Sequence, residues 1–340
     1  MRAVWITKYG GPEVLQVRES DDPEPGPGEA RIRVRAAGLN FAEVMARQNL
    51  YPDAPKAPTV VGYEAAGVVD ALGEGVTEPP VGSRVLCASR FGAHADTLCV
   101  PAEMTFVIPD DLPFEQAAAI PVNYLTAWHM LFEVARVRAG DRVLVHMAAG
   151  GVGTAVLQLA RSVEGLTTFG TASARKHDYV REHGCDHPID YRSLDYAEEI
   201  RRLTDGRGVH FVLDPLGGRD WKKGYELLEP TGLLIAFGFS RMHSGSKRNM
   251  LHVMREATGI PFYTPMGLMS DNRGIAGVNM GHLFGEIELL RGELAGIMEQ
   301  VRAGRVRPHV HEAVPFSRAG EAHRMLEEGD NLGKVVLVPD

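Results

Sequence analysis

At 340 residues the chain exceeds the size at which a single hydrophobic core stops growing, so two domains are expected. Its 44% hydrophobic and 24% charged residues are an ordinary globular balance, and a net charge of −8 argues against a nucleic-acid backbone as the main partner. Cys87, Cys99 and Cys185 are odd in number and lack C-x-x-C spacing, so neither a disulfide framework nor a zinc knuckle is implied, and a reducing cytoplasm is the expected setting.

Met1–Lys8 reads as a strand and lacks the apolar core of a signal peptide. Short apolar runs follow at Arg31–Ala37, Val60–Val69, Arg84–Ala88 and Thr97–Val100, separated by Pro/Gly punctuation such as Asp22-Pro-Glu-Pro-Gly-Pro-Gly28. One helix over Phe41–Arg47 interrupts them, and the whole suggests a partly open β-barrel over residues 1–122. From Asn123 the rhythm changes: helix Asn123–Arg136, strand Arg142–Met147, helix Val152–Arg161, strand Leu166–Phe169 and helix Ala174–His183. Strand His187–Ile189, helix Tyr196–Leu203, strand Val209–Leu213, helix Arg219–Leu228 and strands Leu233–Phe237 and Ile275–Val278 continue it. Such alternation predicts a doubly wound parallel sheet over 123–283. Ser240–Arg273 shows little periodicity beyond a helix over Met250–Ala257, and is read as carrying a substrate-facing loop. Residues 284–340 return to the first style, with an amphipathic helix over Leu289–Val301 and a closing strand over Lys334–Val338. No apolar run is long enough to span a bilayer, so integral membrane insertion is not expected.

The sharpest motif is Arg142-Val-Leu-Val-His-Met-Ala-Ala-Gly-Gly-Val-Gly153, a strand entering a Gly-rich turn and then an apolar helix. That context identifies a dinucleotide fingerprint of a Rossmann fold, with Gly150, Gly151, Val152 and Gly153 expected at the pyrophosphate. The next strand is followed by Gly170-Thr-Ala-Ser-Ala-Arg-Lys176, with no carboxylate to hold a ribose 2′-OH. Ser173, Arg175 and Lys176 can instead meet a 2′-phosphate, so NADPH is the expected cofactor.

Several motifs now point one way: Ala36-Ala-Gly-Leu-Asn-Phe-Ala-Glu43, Val61-Gly-Tyr-Glu-Ala-Ala-Gly-Val-Val69, His146–Gly153, Asp214-Pro-Leu-Gly-Gly218 and Gly333-Lys-Val-Val-Leu-Val-Pro339. Through them the chain resembles the zeta-crystallin-like quinone oxidoreductase branch of the medium-chain dehydrogenase/reductase superfamily. Phe41–Tyr51, Val122–Thr126 and Gly245–Asn249 look most like the vesicle-amine-transport protein homologues within it. The resemblance implies a GroES-like catalytic domain around the Rossmann domain. It implies Asn40, Tyr51 and Thr126 at the nicotinamide end, and Ser173, Lys176 and Tyr191 at the adenosine 2′-phosphate. Gly217, Gly218, Phe237 and Gly238 are expected at the sheet's carboxyl edge. A core-aromatic role for Tyr191 and Phe237 is the alternative.

Zinc members of this superfamily carry Cys where this chain has Asn40, and G-H-E where it has Gly62-Tyr63-Glu64, so no metal is expected. Without a Lewis acid, a quinone or α,β-unsaturated carbonyl is the easier hydride acceptor, because its enolate is resonance-stabilised. Asn40, Tyr51 and Tyr63 are the candidate hydrogen-bond donors. The rival functions are an NADPH-binding lipid- or vesicle-associated protein with little turnover and a zinc-dependent alcohol dehydrogenase. The uncharged Gly274–Met280 segment at a sheet edge, with the family's pairing of that strand across a two-fold axis, implies a homodimer.

Overall fold

The computed structural model describes residues 1–245 and 248–340. Ser246 and Lys247, part of the Gly245–Asn249 motif, lie outside the described residues.

Six parallel strands form the central sheet in the order His187–Ile189, Thr167–Thr171, Arg142–Val145, Val209–Asp214, Leu228–Ala236 and Gly274–Gly277. Counted along the chain this is the 3-2-1-4-5-6 order of the doubly wound Rossmann fold, and it creates a crevice where the order reverses. The inner strands are apolar on both faces because both are covered. Val143, Val145, Leu213 and Ile235 pack under the helices Pro121–Trp128, Gly151–Ala160 and Ile287–Arg302. Leu144, Val212 and Leu234 face the opposite way, against Tyr196, Ile200 and Tyr225.

A seven-stranded, largely antiparallel sheet draws strands from both ends of the chain. Glu29–Leu39 pairs with Glu64–Leu72 on one side and with Lys334–Val338 on the other. Near its outer end it also pairs with Thr97–Pro101. A separate three-stranded sheet contains Arg2–Ile6, Leu15–Glu19 and Thr59–Val60.

Helix Phe41–Arg47 has the predicted bounds because Asn40 and Glu43 close a capping box at its start. The helix expected over Asn123–Arg136 begins two residues earlier, with Pro121 in its first turn, and passes at His129 into a π-helical stretch ending at Val134. The segment Ser240–Arg273 contains the expected helix, over Met250–Thr258, and a second over Pro265–Asp271. Its residues 243–245 turn toward the end of helix Phe41–Arg47, where Gln48 Nε2 donates to Gly245 O and Gln48 Oε1 meets His243 Nδ1. Among the described residues no helix is long and apolar enough to cross a membrane.

Candidate active site

Strand Arg142–Val145 ends sooner than its apolar run, because Met147 takes a positive φ of 52° and turns the chain. Gly150 N–H then donates back to Met147 O, and helix Gly151–Ala160 begins. A Cβ at Gly153 would lie 2.4 Å from Met147 O, and one at Gly151 would lie 2.3 Å from Asn123 Nδ2. Close approach of helix to strand, and of Asn123 to the turn, therefore requires glycine at these two positions. The amides of Val152 and Gly153 find no acceptor among the described residues, while that of Gly151 faces Gly333 O across the isolated parallel bridge of Gly150 with Gly333. Two unpaired N–H groups at a helix N-terminus, beside a third at the turn's edge, make an anion cradle.

Two further turns meet at the same sheet edge. Asp214 Oδ1 accepts from the amides of Leu216 (2.6 Å) and Gly217 (3.0 Å), bending the chain through the positive φ of Gly217 and Gly218. Phe237 N–H donates to Asp214 O, and Gly238 fits closely over Pro215, whose carbonyl oxygen would lie 3.0 Å from a Cβ there. Gly150–Gly153, Gly217, Gly218, Phe237 and Gly238 thus come together at the carboxyl ends of neighbouring strands. Phe237 is partly buried against the core.

At the other end of the crevice, Ser173 is buried just beyond strand Thr167–Thr171. Lys176 Nζ donates to Gly329 O (2.8 Å) and Asn331 O (2.6 Å), while Arg175 pairs with Asp330. Burial, reinforced by the Arg175 charge, lowers the Lys176 ammonium to about 8. Tyr191 is exposed rather than a core ring, with the Arg192 guanidinium 6.0 Å from its centroid.

The loop that receives these cations leads directly into a buried polar centre. Gly333 N–H donates to Ala149 O, and Lys334 enters the seven-stranded sheet. The Lys334 ammonium donates to Asn40 Oδ1 (2.6 Å) and pairs with Glu64, with Asn123 Oδ1 at 3.5 Å. Asn40 Nδ2 donates to Glu64 Oε1 (3.1 Å) and Glu43 Oε1 (3.3 Å), and its backbone N–H donates to Glu43 Oε2. Val122 N–H donates to the other Glu64 oxygen at 2.7 Å. Every polar atom of the Asn40 side chain is therefore engaged within the protein. Burial raises the Glu43 carboxyl to about 7, against the pull of Lys334.

Tyr51 and Tyr63 meet edge to face at 6.3 Å, and Phe91 packs on Tyr63 at 5.1 Å. Burial raises both phenols above their usual range. The Tyr63 hydroxyl is buried with no hydrogen-bond partner of sound geometry among the described residues. Thr126 is buried one turn beyond Asn123 in helix Pro121–Trp128, its hydroxyl donating to Val122 O at 2.6 Å.

Sequence reasoning missed Lys334, Asn123 and Glu43 as site residues. The first two sit inside the Gly333-Lys and Val122-Asn motifs, and Glu43 is the last residue of a readable Asn-x-x-Glu cap. Among the described residues no group of three or more His, Cys, Asp or Glu side chains converges as a metal site.

Residues 26–110 match the alcohol dehydrogenase GroES-like domain, and residues 183–337 match the zinc-binding dehydrogenase family. The human synaptic vesicle membrane protein VAT-1 homolog is 44% identical over 341 residues, spanning 100% of this chain and 86% of that protein. A quinone oxidoreductase of Pseudomonas aeruginosa is 33% identical, covering 99% of both chains. The crystal structure of Escherichia coli quinone oxidoreductase complexed with NADPH superposes with a TM-score of 0.88 at 28% identity, covering 100% of both chains.

Proposed function

The chain belongs to the quinone oxidoreductase branch of the medium-chain dehydrogenase/reductase superfamily, and from that premise we propose that it is an NADPH-dependent, zinc-independent reductase of quinones or α,β-unsaturated carbonyls. The observation carrying this reading is the adjacency of two features. The helix start carrying the free amides of Val152 and Gly153 lies against Asn123 at Gly151, and Asn123 in turn reaches the Asn40–Lys334–Glu64 centre. An anion cradle and a buried cation thus share one crevice.

The residues fit the cofactor at both ends. Gly151, Val152 and Gly153 would hold the pyrophosphate, Ser173, Lys176 and Tyr191 the adenosine 2′-phosphate, and Thr126, Gly217, Gly218, Phe237 and Gly238 the nicotinamide half. When bound, NADPH supplies a hydride to the conjugated acceptor. The Lys334 ammonium fills the space between Asn40 and Glu64, and its bonds hold Asn40 as a positioning residue. Tyr51 and Tyr63 keep their protons at neutral pH and are the groups able to donate a hydrogen bond to the acceptor's oxygen as charge builds there. Orientation within the crevice does the rest of the work.

The test is a screen of NADPH oxidation against quinones, alkenals and cyclic enones with purified protein whose metal content has been measured. Turnover of at least one class with substoichiometric metal supports the reading; turnover of primary alcohols dependent on added zinc refutes it.

A homodimer through strand Gly274–Gly277 accompanies this proposal. Val278 N–H donates inward to Ala236 O, and alternation along the strand turns the N–H groups of Ile275 and Gly277 outward. The helix just before that strand exposes Met266 and Met269, and Phe262 beside it is 90% exposed. An open edge flanked by apolar side chains suits a second copy. The exposed Leu251 and Met254 favour one other reading, an NADPH-binding, membrane-associated protein with little turnover. Tight NADPH binding without oxidation of any acceptor, together with co-sedimentation with vesicles, would select it.

A further inference from the structure

Beneath the two cofactor turns lies a pair of buried polar atoms that the proposed reaction leaves unused. His146 and Asp214 follow the paired residues Val145 and Leu213 on adjacent parallel strands, and His146 N–H donates to Leu213 O. Their side chains share the sheet face of Leu144 and Val212, where the Tyr196 ring meets the imidazole edge-on at 4.7 Å. Both side chains are essentially inaccessible to solvent. Among the described residues His146 Nε2 and Asp214 Oδ2 each lack a hydrogen-bond partner and make no ion pair with one another, which is costly in a buried setting unless one trapped water joins them.

The remaining atoms of the pair are already committed, each to a different turn. His146 Nδ1 lies 3.1 Å from Thr171 Oγ1, which also accepts from Met147 N–H in the Gly-rich turn. Asp214 Oδ1 holds the amides of Leu216 and Gly217. We propose that His146 and Asp214 share a proton through one bridging water across the sheet and thereby tie the Met147–Gly150 turn to the Leu216–Gly218 turn, making Asp214 a positioning residue for the cofactor. This rests on the NADPH reading above.

The valences close in both protonation states. With Asp214 ionised, Thr171 Oγ–H donates to Nδ1 and Nε2–H donates toward Oδ2. With Asp214 protonated, Oδ2–H donates toward Nε2, and Nδ1–H donates to Thr171 Oγ1. Loss of the Asp214 proton therefore flips the imidazole tautomer. Burial keeps His146 neutral, its value lowered to about 4, and raises Asp214 to about 7, so the flip falls near neutral pH. Around the pair stand Tyr196, whose hydroxyl donates to Asp220, and Arg241, paired with Asp220. Lys223 lies over the Tyr196 ring at 4.0 Å.

An ionised Asp214 places negative charge beneath the cofactor phosphates, so NADPH affinity is expected to fall severalfold between pH 6 and 8. In Asp214→Asn, which is isosteric and keeps the Oδ1 acceptor, that pH dependence is expected to shrink to what Lys176 and Glu43 contribute. Titration calorimetry on the full chain, comparing the two proteins across this range, reads the difference. Identical pH profiles would overturn the proposal. A second measurement needs neither a variant nor cofactor: the 15N ring shifts of His146 in the wild type should exchange tautomer between pH 6 and 8, and a constant tautomer would refute the shared proton. Absence of NADPH binding at every pH would instead overturn the proposed function.

Discussion

Replacing Lys334 by Met keeps most of the side-chain length but removes the ammonium that Glu64 faces. Glu64 is fully buried, and in Lys334→Met it would retain only the Val122 amide at 2.7 Å and Asn40 Nδ2 at 3.1 Å. Stranding one partner of a buried ion pair costs about 3–5 kcal/mol, because the remaining charge is desolvated without compensation. Unfolding entropy is about 2.1 cal/mol/K per residue, so over this chain that loss corresponds to a midpoint lowered by roughly 4–7 °C. The double variant Lys334→Met/Glu64→Gln removes the stranded charge and should recover much of the loss, giving a coupling energy of about 2 kcal/mol or more. Thermal unfolding of wild type, both single variants and the double variant supplies the cycle. A Lys334→Met loss below about 1 kcal/mol, or strict additivity, would refute the view that these two charges neutralise each other in a dry site.

Lys176→Ala should weaken NADPH by about 1–3 kcal/mol, roughly 5–150-fold, and leave NADH nearly unchanged; equal losses in parallel titrations would show that Lys176 does not read the 2′-phosphate. Because its ammonium is lowered to about 8, the preference for NADPH should weaken as pH rises through that value, and a preference that is flat to pH 9.5 would contradict this. Activity should survive chelator, and elemental analysis of protein purified without added metal should find substoichiometric zinc; one zinc per chain would sink the zinc-independent reading. Wild-type protein should scatter light with twice the 37.1 kDa chain mass, and Gly277→Pro should shift it toward monomer by removing an outward N–H while NADPH binding persists. A wild-type monomer at micromolar concentration would end the dimer proposal.

Local chemistry alone determined much of this protein. The fingerprint turn was readable because glycine at 151 and 153 is forced by contacts within a few residues and with one neighbouring side chain. Helix Phe41–Arg47 and strands Arg84–Ala88, His187–Ile189 and Lys334–Val338 have the expected bounds because a cap, a turn residue or an apolar run marks each end nearby. The missing carboxylate after strand Thr167–Thr171 likewise needed only the order of residues along the chain.

Tertiary structure decided the rest. Helix Pro265–Asp271 escaped notice because Met266 and Met269 are exposed and the half-buried Leu268 by itself makes no stripe. Strand Leu228–Ala236 reaches five residues further back than its apolar core, since pairing with Val209 recruits Leu228 across an irregular register that no local pattern announces. The buried centre brings together Asn40, Glu43, Glu64, Asn123 and Lys334 from four separate stretches of chain. Taken singly, Lys334 at the head of a strand reads as a surface cation; only the pairing of Lys334–Val338 with Glu29–Leu39 carries it inside, to a carboxylate that water can no longer solvate. Burial and partnership are properties of the assembled layers, and they turned unremarkable polar residues into the site's electrostatic core.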